Sequence, residues 1–158
     1  MSSYETVAAT MPVGDKNGAA SRLNLDSRLA DLEKLLPWVE ALAAEYSIPA
    51  DTQFAIHLCL EEALSNIICH GYRSEPGHPI TVDCTLDRPE LEFAVEDQAP
   101  PFDPLAPLAV PDREAASPVD RLQLGGHGIR FMRKFAGSMA YQRLANGNRL
   151  TFGFMIPG

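Results

Sequence analysis

Two stretches of strict alternation decide most of what this chain can become. Ile80, Val82, Cys84 and Leu86 alternate with Thr81, Asp83 and Thr85, and after Asp87-Arg88-Pro89-Glu90 the pattern resumes at Leu91, Phe93 and Val95. A period of two sends successive side chains to opposite faces, so each run is a strand with one dry face and one wet face. Near the end of the chain, Asn146-Gly147 marks a hairpin that brings Leu150, Phe152, Phe154 and Ile156 onto the same apolar side. A sheet with one apolar face needs a covering layer.

The cover is written at helical spacing in the first half. From Asp31 onward Leu32, Leu35, Leu36, Val39, Leu42, Ala43 and Tyr46 recur with that period, and Pro37 either kinks the helix or lies near its true start. Asp51 is the expected N-cap of a second helix, with its stripe at Ile56, Leu60, Ala63, Leu64 and Ile67. This helix runs to about His70 and stops at Gly71. Ser21–Leu25 reads as a short first strand, and Ile129, Met132, Phe135 and Ala136 as the core positions of a short third helix. The order predicts an α+β fold: a two-layer α/β sandwich with a mostly antiparallel, mixed sheet and helices on one face.

Residues 1–20 lack periodicity and read as a flexible leader, leaving 21–158 as a single domain. Residues 98–124 break every period and hold six prolines. A stretch of that length inside a domain is either a functional lid or disordered.

Composition narrows the function. The chain has 158 residues, 46 % of them apolar and 22 % charged, which is globular rather than disordered. The net charge of -8 opposes direct, sequence-independent binding to nucleic acid. No apolar run reaches membrane-spanning length and no secretory signal opens the chain, so the expected location is cytoplasmic, away from any membrane. Cys59, Cys69 and Cys84 read as buried reduced thiols. His57, His70, His78 and His127 have no shared ligand spacing, which argues against a metallohydrolase.

Chemistry could sit in three places. Glu62 and Asn66 lie about 40° apart around the second helix, bordering its apolar stripe. A carboxylate one turn from an amide oxygen suits a nucleophile-orienting base beside a Mg²⁺ ligand, although alone the pair reads more simply as a solvated helix face. Asp97 shares parity with Leu91, Phe93 and Val95, so its carboxylate falls on the apolar face and needs a specific donor. An adenine amino group would serve; so would the turn that follows the strand. Gly125-Gly126-His127-Gly128 opens a helix, where backbone N–H groups and the helix dipole favour phosphate. It is neither a dinucleotide fingerprint nor a P-loop, since no strand precedes it and no Lys-Ser or Lys-Thr follows.

Taken in order, these segments resemble the GHKL (gyrase, histidine kinase, MutL) ATPases. Glu62-x-x-x-Asn66 with His70-Gly71-Tyr72 is similar to their N box, Glu96 through Pro104 to the G1 box, and Gly125-Gly126-His127-Gly128-Ile129 to the G2 box. Within that superfamily, HGY, PFDP and GGxGI resemble the RsbW-type anti-sigma-factor serine/threonine kinases. The resemblance implies a Bergerat ATP-binding fold and a kinase that uses ATP and Mg²⁺. Its partners would be a STAS-type antagonist, which it phosphorylates, and a sigma factor or other regulator, which it sequesters; it would also form a homodimer. It further implies Glu62 as the base, Asn66 as the Mg²⁺ ligand and Asp97 as the acceptor for the adenine amino group. Ala99 would belong to the adenine turn, and Gly125, Gly126, His127, Gly128 and Ile129 to the phosphate loop. Two positions depart from the pattern. Ala99 replaces the glycine of Asp-x-Gly, and His127 stands where an apolar residue is commoner. They motivate an alternative: a non-catalytic module that binds and sequesters a partner.

Overall fold

The strand parities seen in the sequence become the two faces of one sheet. The computed structural model describes residues 20–103, 132 and 134–157. The leader, most of the 98–124 segment and the whole Gly125–Ile129 stretch lie outside the described residues. The strands are β1 (Ala20–Asp26), β2 (Pro79–Asp87), β3 (Glu90–Asp97), β4 (Ser138–Leu144) and β5 (Gly147–Met155), in the spatial order β1-β2-β3-β5-β4. Every pairing between them is antiparallel, so the mixed sheet expected from the sequence is corrected to a wholly antiparallel one among the described residues.

The covering layer is α1 (Leu35–Tyr46) and α2 (Ala50–Asn66). Pro37 is the third residue of α1, where a missing N–H is harmless; the turns before it, Leu29–Lys34, are 3₁₀. Leu36, expected on the apolar stripe, is 46 % exposed. Asp51 makes no cap: the cap position of α2 is Pro49, without a side-chain bond, and Asp51 sits in the first turn. There its charge suits the helix dipole rather than one N–H. The stripe Ile56, Leu60, Ala63, Leu64 and Ile67 is buried against the sheet, with Val39 and Leu42 of α1 and Phe93 and Phe152 of the central strands. Cys59 and Cys84 are buried free thiols pushed up to about 12, chiefly by burial, while Cys69 is only half-buried.

The sheet's covered face is apolar except at one end. Leu25 pairs with Ile80 and Ile80 with Asp97; Asp97 pairs with Asn148, and Asn148 with Arg143. Side chains opposite each other in register share a face, so this cross-strand row starts as core and ends polar. The next row, Leu23, Val82, Val95, Leu150 and Tyr141, stays apolar until its tyrosine. The opposite face is polar, tied by the Arg22–Asp83 pair at 2.6 Å and by Arg149 near Glu96 at 3.2 Å.

Candidate functional site

A narrow cleft opens where the polar end of that row meets the C-terminal end of α2. Its walls include Asn66, Asp97, Ala99, Tyr141, Asn148 and Met132.

On the sheet side the geometry is over-determined. Asp97, 6 % exposed, ends β3 on the covered face. Its Oδ1 accepts from Asn148 Nδ2 at 2.9 Å and from the Ala99 N–H at 2.8 Å. Burial pushes the Asp97 carboxyl above its usual range; the Asn148 amide, the Ala99 N–H and the Arg143 charge pull it back. Asn148 is itself buried and works in two directions. Its Nδ2 also reaches the carbonyls of Ala99 at 3.2 Å and Pro100 at 3.0 Å. Its Oδ1 accepts from Phe102 N at 3.3 Å, from Arg143 Nη1 at 3.3 Å and from the Tyr141 hydroxyl. Gly147, just before it, permits the approach: a Cβ there would stand 1.9 Å from the Asp97 carbonyl oxygen.

The helix side is left open. Asn66 is 5 % exposed, and its Nδ2 is buried without a hydrogen-bond partner among the described residues. It is buried in the cleft wall, at the edge of the core. Glu62, one turn earlier, is half-buried and does not line the cleft. Beyond Asn66 the helix widens into a π turn, Ile67–Gly71, in which the Tyr72 N–H donates to the Ile67 carbonyl at 2.8 Å. The α-helix expected to reach His70 thus changes pitch four residues early, while Gly71 remains the stop. Such single π turns gather at functional sites. Here the turn brings Gly71 against Ala99, where an added Cβ would meet the Ala99 methyl at 3.1 Å. The Tyr72 hydroxyl donates to Pro79 O at 3.1 Å and accepts from Gln98 N at 2.6 Å, bracing the residue after Asp97.

Residues 25–154 match the histidine kinase-like ATPase domain. The chain belongs to this family of GHKL-type ATPases. It is 37 % identical over 118 residues to the serine/threonine-protein kinase BtrW of Bordetella bronchiseptica, covering 73 % of this chain and 80 % of that one. A shorter match, 37 % identical over 43 residues, is to the anti-sigma F factor of Oceanobacillus iheyensis, covering 27 % of this chain and 30 % of that one. A histidine kinase domain from the blue-light activated histidine kinase of Erythrobacter litoralis aligns at a TM-score of 0.49 and 15 % identity, over 81 % of this chain and 60 % of that one. The match to BtrW, with the family model, places the chain in the RsbW-type kinase family.

Membership changes how the departures read. Among the described non-glycine residues only Ser47, Arg73 and Ser74 have positive φ, so Ala99 occupies an ordinary backbone conformation. The methyl group imposes no left-handed strain there. The structure of this ATPase domain brings together Asn66, Asp97 and Ala99 and leaves Glu62 just outside their cleft. Gly125, Gly126, His127, Gly128 and Ile129 fall outside the described residues. Sequence reasoning missed Asn148, Tyr141 and Arg143. One signal was available: Asn148 shares parity with Leu150, Phe152 and Phe154, an amide on an apolar face like the carboxylate of Asp97.

Proposed function

We propose that this chain is an ATP-dependent serine/threonine protein kinase of a bacterial partner-switching system. In this reading it phosphorylates a small STAS-type antagonist in the cytoplasm and sequesters a sigma factor or other regulator. The observation that carries the reading is the pairing, in one cleft, of a carboxylate held on one oxygen with a buried amide nitrogen that has no partner among the described residues. A buried polar group without a bond is destabilising by about 1–3 kcal/mol, so its persistence points to a ligand.

The donor set fits a magnesium nucleotide. Asp97 would accept the exocyclic amino group of adenine, with Ala99 and Gly71 forming the wall beside the base. The Nδ2 of Asn66 would donate to an oxygen of the nucleotide, and its amide oxygen would meet Mg²⁺, a hard cation that takes oxygen ligands. Gly125, Gly126, His127, Gly128 and Ile129 would offer backbone donors to the phosphates. ATP supplies the γ-phosphoryl group and departs as ADP. Glu62 would orient the antagonist's hydroxyl and take its proton as the oxygen bonds to phosphorus. The position of Glu62 outside the base-binding cleft suits a group that meets a second protein rather than the nucleobase. The non-catalytic alternative draws no support from Ala99, whose backbone is unstrained.

Calorimetric titration with ATP, with and without Mg²⁺, followed by phosphoryl transfer from labelled ATP to candidate antagonists, tests the proposal. Micromolar binding strengthened by Mg²⁺, with label appearing on a serine or threonine, is the expected result. Partner binding that is indifferent to nucleotide, with no ATP bound at millimolar concentration, would overturn it in favour of the sequestering module.

A further inference from the structure

We infer that Asn148 is the positioning residue for base selection: it fixes which oxygen of Asp97 faces the nucleobase and ties that choice to the root of the 98–103 segment. The inference rests on the proposed nucleotide reading of the cleft and adds a residue and a specificity to it.

A carboxylate that selects an amino group must present an oxygen lone pair in one direction. Free rotation about the side chain would blur that. In Asp97 both bonds from described residues fall on the same oxygen, Oδ1, from Asn148 Nδ2 and the Ala99 N–H. Rotation is thereby blocked, and Oδ2 is the oxygen left to meet a ligand. The Asn148 amide in turn has only one sensible orientation. Its oxygen receives donors from the Tyr141 hydroxyl, Arg143 Nη1 and Phe102 N, and its nitrogen faces the acceptors Asp97 Oδ1, Ala99 O and Pro100 O. Flipping the amide would put its nitrogen against three donors and its oxygen against three acceptors.

The sheet register holds this arrangement. Asn148 stands directly opposite Asp97 on one side and Arg143 on the other, so β4, β5 and β3 bring the three side chains to one row without a loop. Arg143 Nη1 also donates to Ala99 O at 2.9 Å, so the same strand that orients the amide grips the turn beside the base. Backbone groups of Ala99, Pro100 and Phe102 all close on one side chain. A change at Asn148 would therefore be felt both by the base acceptor and by the segment leaving it.

The test compares two nucleotides that differ only at the selected group: ATP and purine riboside triphosphate, which lacks the exocyclic amine. Affinities are measured calorimetrically for the wild-type chain, Asn148→Ala and Tyr141→Phe, with thermal unfolding of each recorded alongside. A charge-assisted bond to the amine makes the wild type favour ATP by roughly tenfold to a hundredfold. Asn148→Ala, which leaves only the Ala99 N–H on Oδ1, is expected to lower that ratio severalfold. Tyr141→Phe, which keeps Asn148 and removes one of its donors, should give an intermediate ratio with a smaller stability loss, and it carries the test if Asn148→Ala does not fold. If both variants bind both nucleotides more weakly but keep the wild-type ratio, Asn148 is a scaffold residue and the inference falls. A wild-type ratio of one with tight binding of both nucleotides would instead overturn the reading of Asp97 as the adenine acceptor.

Discussion

The two walls of the cleft are finished to different degrees. On the sheet wall, Asp97 and Asn148 are buried and bonded to each other, and Asn148 is bonded to the turn beyond as well. On the helix wall, Asn66 is equally buried, yet its Nδ2 has no partner among the described residues. Burial without a bond is unfavourable, and burial with several bonds is close to neutral but rigid. One wall is thus preorganised to recognise, while the other is left unsatisfied until something binds. The π turn lies between them, carrying Gly71 from the helix to the Ala99 side.

The largest effect should come from the helix side. Glu62→Ala is expected to keep ATP affinity, because Glu62 does not line the cleft, and to lower phosphoryl transfer by roughly two to four orders of magnitude. Single-turnover transfer to the antagonist, set beside a nucleotide titration, reads both. Normal turnover would move the base elsewhere and remove the helix wall's claim to the chemistry.

Next is the rigidity of the sheet wall. Gly147→Ala places a methyl 1.9 Å from the Asp97 carbonyl, where backbone must give way. We expect a loss of about 1–3 kcal/mol in unfolding free energy, read by denaturant titration, together with weaker ATP binding. An unchanged midpoint and unchanged affinity would mean that the end of β3 is soft, and the contrast between the walls would fail.

This glycine also marks the limit of what could be read from the sequence. Asn146-Gly147 was legible as a hairpin because turn chemistry is local, but the reason for glycine here is the passage of β3, 50 residues away in the chain. Strand parity put Asp97 on the apolar face because parity is local too. What the Asp97 carboxylate bonds depends on register with β5, which alternation does not specify across an intervening segment. The pitch change at Ile67 was hidden for a related reason: its apolar residues fit an α-helix as well, and the neighbour that Gly71 meets, Ala99, comes from a distant part of the chain. Only Gly71 signalled that the helix must end.

A smaller and more selective change is Asp97→Asn. The shape is kept and the Oδ1 acceptor can remain, but the charge is gone. Nucleotide affinity should fall roughly tenfold or more, since bonds to charged groups contribute about 1.5–3 kcal/mol. Stability should move the other way. Burial raises the Asp97 pKa above its usual value. The folded state therefore favours the protonated acid; that preference contributes fully below the unfolded pKa and is lost as pH rises through the folded one. Wild type and variant should unfold alike in acid, and the variant should gain relative stability toward neutral pH. Thermal unfolding of both proteins from pH 3 to 7 checks the sign, and a variant that loses stability relative to wild type as pH rises would contradict it.

The smallest expected effect is the sharpest probe of the difference between the walls. Asn66→Leu replaces an amide whose buried Nδ2 has no partner among the described residues with an apolar group of similar size. Where a buried donor has no bond, such a replacement removes its desolvation penalty and can stabilise. The nucleotide-free variant should therefore gain about 1 kcal/mol, whereas the matching change at Asn148 would take away the shared acceptor of Tyr141, Arg143 and Phe102 and one of the two bonds on Asp97 Oδ1, and destabilise. In the same variant, ATP binding should no longer strengthen when Mg²⁺ is added. A stability gain with Mg²⁺ dependence intact would separate the two properties: the amide would still be an unsatisfied group, but the cation would be held elsewhere. A stability loss would show that the Asn66 side chain already has a use in the free protein, and the two walls would then differ less than their bonds imply.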